Sequence, residues 1–158
     1  MTYRTDPVVI KDSEVPGGDC VIYWVCGLPG SGKTTWVQKR MNPTDIVYDM
    51  DAVAGALTYK VQERSNPAAR YIANEVYFTF VDSLPAIYKE SDMDVYIIRT
   101  APYYQTLYHF DRPVTVYILN THFVDRGIDG DELCEMQMRL IELEEFCKGT
   151  GIDVYHIV

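Results

Sequence analysis

The chain has 158 residues, a net charge of −9, and is 47% apolar and 23% charged. Those values describe one globular domain and exclude a helical membrane protein, because no apolar run approaches the roughly 20 residues that a span needs. The charge argues against a broad electrostatic footprint on duplex nucleic acid, while leaving room for a small nucleotide or a nucleic-acid end held in a locally basic cleft.

The N-terminus carries no apolar segment of the signal-peptide kind, so a cytoplasmic protein is expected. The four cysteines (Cys20, Cys26, Cys134 and Cys147) form no C-x-x-C pair and have no histidine at ligand spacing. Reduced, buried thiols are therefore expected, and no zinc site. Thirteen tyrosines are many for this length. Tyr103, Tyr104 and Tyr108 cluster near the end of a predicted strand as candidates for stacking on a base, although core and rim tyrosines are the plainer expectation.

Residues 1–19 read as an N-terminal extension with a short strand candidate at 8–10, and residues 20–158 as the domain. Residues 21–26 form an apolar, β-branched and aromatic run of strand length. It leads into Gly27-Leu28-Pro29-Gly30-Ser31-Gly32-Lys33-Thr34-Thr35, followed by a helix over 34–41. This is G-x-x-x-x-G-K-T, the phosphate-binding P-loop, in the strand–loop–helix context that the motif requires. Its chemistry explains the spelling. Backbone N–H groups must point inward around a polyphosphate, which Gly27, Gly30 and Gly32 permit. The helix N-terminus adds unpaired N–H groups and a positive dipole end. Lys33 supplies a point charge for the β/γ-phosphates, and the Thr34 hydroxyl is a ligand for Mg²⁺. A nucleoside triphosphate, ATP or GTP, is the expected ligand.

Further on, a second strand at 45–48 is followed by Asp49 and Asp51 and a short helix over 52–59. A long helix opens near Pro67, with Ala69, Ile72, Ala73, Val76, Phe80, Leu84 and Ile87 predicted on its apolar face and Pro85 predicted to kink or shorten it. A third strand at 95–99, a short helix at 103–110 and a fourth strand at 114–119 come next. A polar loop over 121–130 then precedes a helix over 131–148, lined by Leu133, Met136, Leu140, Leu143 and Cys147 and stopped by Gly149. Residues 154–158 are the last strand. This alternation predicts a single α/β domain with a parallel sheet and helices on both faces.

Functional groups in such a sheet gather at the carboxyl ends of strands, here Asp49/Asp51, Arg99/Thr100 and Asn120/Thr121. A carboxylate one loop away from the γ-phosphate can take the proton of an acceptor hydroxyl. Asp51 is the first candidate; Asp49 can do the same or hold a magnesium-bound water, and either can be a turn or cap residue.

The P-loop with Val47-Tyr48-Asp49-Met50-Asp51-Ala52 downstream resembles the polynucleotide-kinase branch of P-loop kinases, phage members above all. The resemblance covers the front third of the chain well, the third strand in part, and the rest only as topology. It implies a sheet ordered 2-3-1-4-5, ATP with Mg²⁺ as donor, a hydroxyl acceptor, and Asp51 as the general base. Two positions depart from the family pattern. Ala54 stands where an arginine contacts the acceptor side, and Arg99 stands where the third strand ends in an aspartate. Arg99 cannot hold magnesium, but beside bound phosphates it can neutralise transition-state charge or bind an acidic substrate. The family's arginine lid has Arg126 as its best candidate here, with Arg139 read as a solvated helix residue.

The expected function is an ATP- and Mg²⁺-dependent phosphotransferase acting on a polynucleotide 5′-hydroxyl or a nucleoside or nucleotide. Lys33, Asp51, Arg126 and Arg99 carry the chemistry, and Thr34 and Asp49 hold the metal. The alternative is an ATP-binding regulatory module or weak ATPase acting through a protein partner. An oligomeric motor of the AAA+ kind lacks both its acidic motif and room for a helical lid domain.

Overall fold

The computed structural model describes residues 8–10, 22–61, 66–88, 93–109, 114–119 and 129–158. Among the described residues six strands form one sheet: β1 (Val8–Ile10), β2 (Ile22–Gly27), β3 (Ile46–Asp49), β4 (Val95–Ile98), β5 (Val114–Leu119) and β6 (Asp153–Ile157). All neighbouring pairs are parallel and the order is β1-β6-β5-β2-β4-β3. Counted from β2, the last five strands run 2-3-1-4-5, as expected. Residues 8–10 add a sixth strand along the outer edge of β6, with Val8 opposite Tyr155. Parallel neighbours need crossover connections. Among the described residues four α-helices supply them: α1 (Lys33–Arg40), α2 (Met50–Thr58), α3 (Pro67–Tyr88) and α4 (Gly130–Thr150), with a 3-10 helix over Tyr104–His109.

Strand alternation sorts the core into two faces. Ile22, Trp24 and Cys26 join Val95, Ile97, Val116 and Ile118 on the face covered by α3 and α4. Tyr23, Val25, Tyr96, Ile98, Tyr117 and Leu119 face the other way, against Trp36 and Val37 of α1. Helices thus lie on both faces, and β2, at the centre, is buried along its whole length. Tyrosine rings run across four adjacent strands on the α1 face: Tyr96 to Tyr23 at 5.1 Å, Tyr23 to Tyr117 at 5.7 Å and Tyr117 to Tyr155 at 5.5 Å. Trp36 closes on Tyr117 at 5.1 Å. Much of the tyrosine content is therefore core.

Several local expectations are corrected. The buried stripe of α3 is Ala69, Ala73, Tyr77, Val81 and Leu84, while Ile72 and Val76 are exposed. Ala69 and Ala73 pack on Ala54 of α2, and that contact fixes the rotation of a helix apolar on more than one side. Pro85 lies inside α3, which ends at Tyr88, within a turn of the missing N–H. Gly149 is helical; the left-handed residue is Gly151 (φ 75°), whose N–H reaches the Cys147 carbonyl and caps α4. Cys26 and Cys147 are buried free thiols, but Cys134 is exposed, because it lies on the outer side of α4. Cys20 falls outside the described residues. No helix among the described residues is long and apolar enough to cross a membrane.

Candidate functional site

The sheet order makes the carboxyl end of β2 a switch point: the chain leaves it towards β3 on one side and later returns to β5 on the other. Ligand crevices form at such points. The glycine loop lies there. The Gly27 N–H bonds the Thr100 carbonyl at 3.0 Å, and the Ser31 N–H turns back on the Leu28 carbonyl at 3.1 Å. Gly27 has φ +153°, and a Cβ on it would stand 2.7 Å from Ser31 Oγ and 2.8 Å from the Leu119 carbonyl. Gly30 (φ 79°) and Gly32 (φ 89°) are left-handed. Pro29 and Ser31 are buried, Leu28 is half-buried, and Thr35 is exposed on α1.

Gly32 is the N-cap of α1 and offers no side-chain cap, and the first turn contains no acidic residue. The helix therefore presents its N–H groups and positive dipole end with no anion of its own beside them. Lys33 folds over the loop, its Nζ donating to the Gly27 carbonyl at 2.9 Å and the Leu28 carbonyl at 3.0 Å. An ammonium held over a glycine loop beside that helix end is an anion-binding arrangement.

Asp49, the last residue of β3, reaches this point, and Asp51 follows it in the first turn of α2. The Thr34 hydroxyl donates to Asp49 Oδ2 at 2.8 Å. Asp49 Oδ1 accepts the Asp51 N–H at 3.0 Å and the Ala52 N–H at 3.4 Å, so the same carboxylate is the N-cap of α2. Asp51, in the first turn of α2, is exposed. Its Oδ1 accepts from Arg70 Nη1 at 3.3 Å and Nη2 at 3.4 Å. The two aspartates are thus distinguished by geometry: Asp49 is tied to the loop threonine, and Asp51 faces solvent beside a guanidinium.

Arg99 follows β4, the strand between β2 and β3, so it stands between the glycine loop and the aspartates in the order of the sheet. Its N–H continues the ladder to the Val25 carbonyl at 3.0 Å. Its guanidinium lies over the Tyr77 ring at 4.7 Å. Burial pushes the Tyr77 hydroxyl and the Cys26 thiol up, and the Arg99 charge pulls both the other way. Arg126, Asn120 and Thr121 lie outside the described residues. Arg139 is paired with Glu135 one turn earlier on α4 and covers the Tyr103 ring at 4.5 Å. Tyr104 stacks on Phe146 at 4.8 Å as a packing residue.

Arg70 has no place among the sequence candidates. Pro67 marks the start of its helix, yet its approach to Asp51 depends on the α2–α3 packing. Ala54 is fully buried there and does not face the site.

Among the described residues no group of three or more His, Cys, Asp or Glu side chains forms a metal cluster. The Thr34 hydroxyl and Asp49 carboxylate form a pair of hard oxygens, which suits Mg²⁺, an ion that takes one or two protein oxygens and completes its shell with water and phosphate. No protein-family model matches the sequence, and no curated protein matches it.

Proposed function

We propose that the protein is a P-loop phosphotransferase that binds ATP with Mg²⁺ and moves the γ-phosphoryl group to a hydroxyl acceptor. The observation that carries this reading is the hydrogen bond from Thr34 to Asp49, which joins the end of β3 to the start of α1, with Asp51 two residues further on in α2. Lys33 exchanges the Gly27 and Leu28 carbonyls for β/γ-phosphate oxygens, and the α1 N–H groups complete the cradle. Thr34 and Asp49 would hold Mg²⁺, which when bound neutralises the phosphate charge.

Asp51 takes the proton of the acceptor hydroxyl. The acceptor oxygen then bonds to the γ-phosphorus, the bond to the β-phosphate oxygen breaks, and ADP leaves. Arg99, released from Tyr77, offsets negative charge beside the phosphates. Arg126 is the sequence candidate for closure over the triphosphate. The resemblance to polynucleotide kinases favours a polynucleotide 5′-hydroxyl; the net charge and Ala54 favour a nucleoside or nucleotide.

A second reading, an ATP-binding module acting through a protein partner, draws on Arg99, a cation at the end of the strand beside β2. One experiment separates the two. The protein is incubated with γ-labelled ATP, Mg²⁺ and separate acceptors: 5′-hydroxyl DNA and RNA oligonucleotides, nucleosides and nucleoside monophosphates. Label on any acceptor supports the phosphotransferase and names its substrate class. Retained, intact ATP with no labelled acceptor supports the module.

A further inference from the structure

We propose that Arg70 is the positioning residue of Asp51: it anchors one carboxylate oxygen and leaves the other for the acceptor hydroxyl. The inference rests on the phosphotransfer reading and deepens it. Both terminal nitrogens of Arg70 donate to the same atom, Oδ1, at 3.3 and 3.4 Å. Oδ2 makes no hydrogen bond among the described residues. A carboxylate on an exposed helix turn rotates broadly about its terminal torsion, and anchoring one oxygen narrows the directions in which the other can face. Proton abstraction needs that narrowing, because the base must stand within hydrogen-bond reach of the attacking hydroxyl.

The anchor is itself held. Asn66 Oδ1 accepts the Ala69 N–H at 3.0 Å, and the Arg70 N–H reaches the Asn66 carbonyl at 3.2 Å. Pro67 fixes the first helical position between them. Ala69 and Ala73 then pack against Ala54, so small residues on both helices allow the close approach that carries Arg70 to Asp51. The same packing closes position 54: Ala54 has no exposed surface and its Cβ meets α3. A cation reaching Asp51 comes from α3, the neighbouring helix, rather than from α2.

The ion pair itself stabilises the fold little, because its side chains remain 35% and 49% exposed. Its loss is therefore read in turnover. Steady-state transfer to an acceptor that the wild type phosphorylates is measured for Arg70→Gln, Arg70→Lys, Asp51→Asn and the double variant, beside ATP affinity and thermal midpoint. Arg70→Gln is expected to lower kcat about 10- to 100-fold, leaving ATP affinity and the midpoint at wild-type values. Arg70→Lys recovers part of the rate, and Arg70→Gln adds no loss in the Asp51→Asn background. An unchanged kcat overturns the proposal. So does a rise confined to the acceptor KM, which makes Arg70 an acceptor contact, and so do losses that multiply in the double variant. If the wild type binds ATP but labels no acceptor, the phosphotransfer reading itself fails and takes the positioning role with it. That result is seen without any variant.

Discussion

The Thr34 hydroxyl and Asp49 Oδ2 meet at 2.8 Å across fifteen positions of sequence. Asp49 performs two tasks with two oxygens, binding the loop threonine through one and capping α2 through the other. Asparagine caps as well as aspartate, whereas alanine does not. Asp49→Asn should therefore keep wild-type stability and lose Mg²⁺-dependent transfer. Asp49→Ala should lose transfer and about 1 kcal/mol of stability as well. Urea denaturation beside a Mg²⁺ titration of transfer checks both. Full transfer by Asp49→Asn would remove Asp49 from the proposed metal site.

Two glycines of the loop separate steric from conformational demand. A Cβ at Gly27 meets Ser31 Oγ and the Leu119 carbonyl inside 3 Å, whereas a Cβ at Gly32 meets nothing within 4 Å. Both also have φ values that L residues rarely adopt. Gly32→Ala should cost about 1–2 kcal/mol, and Gly27→Ala about 2–4 kcal/mol, since overpacking is added to strain. Equal denaturation midpoints for the two variants would contradict the close approach at Gly27.

Position 54 yields a third test. Ala54→Arg introduces the residue type that stands there in the polynucleotide kinases the sequence resembles, but forces a guanidinium against Ala69 and Ala73. It should destabilise the protein by at least about 2 kcal/mol and should not raise turnover. A stable variant with higher turnover would show that position 54 does reach the site.

The strands and the loop were legible in the sequence because local rules govern them. The run at 114–119 is β-branched and aromatic and forms β5 with those bounds. The loop glycines are spelled by backbone geometry that no other residue adopts cheaply. What escaped depends on contacts between elements. The face of α3 is not legible in the sequence, because Ile72 and Val76 are as apolar as the buried residues and the contact of Ala69 and Ala73 with Ala54 of α2 decides its rotation. Gly149 and Gly151 are equivalent as letters; Gly151 alone has the left-handed turn. Arg70 escaped because it lies nineteen positions from Asp51 and joins it through that same packing.

Alkaline pH should expose the tyrosine layer. Burial, aided by Asp94 at Tyr23 and by Asp45 at Tyr96, pushes both hydroxyls up to about 12 from 10.0, and burial, opposed by Arg99 and aided by Tyr77 and Asp49, does so at Tyr48. Tyr117 is raised further in the same direction by burial and its tyrosine neighbours. A group whose folded pKa is raised keeps its full contribution below the unfolded value and loses it as pH climbs through the folded one. Stability should thus hold to about pH 10 and fall between about 10 and 12, with tyrosinate absorbance appearing as the chain unfolds. Denaturation midpoints across that range check the direction; full tyrosinate absorbance from a still-folded chain at pH 10 would contradict it.

The most direct test of the central claim, that the Gly27–Lys33 loop holds a nucleoside triphosphate, is an equilibrium titration of ATP into wild-type protein and Lys33→Ala, with and without Mg²⁺. The site as described predicts saturable binding by the wild type, tighter with Mg²⁺ and lost in Lys33→Ala at an unchanged thermal midpoint. No binding by the wild type, or the same affinity in both proteins, would contradict it.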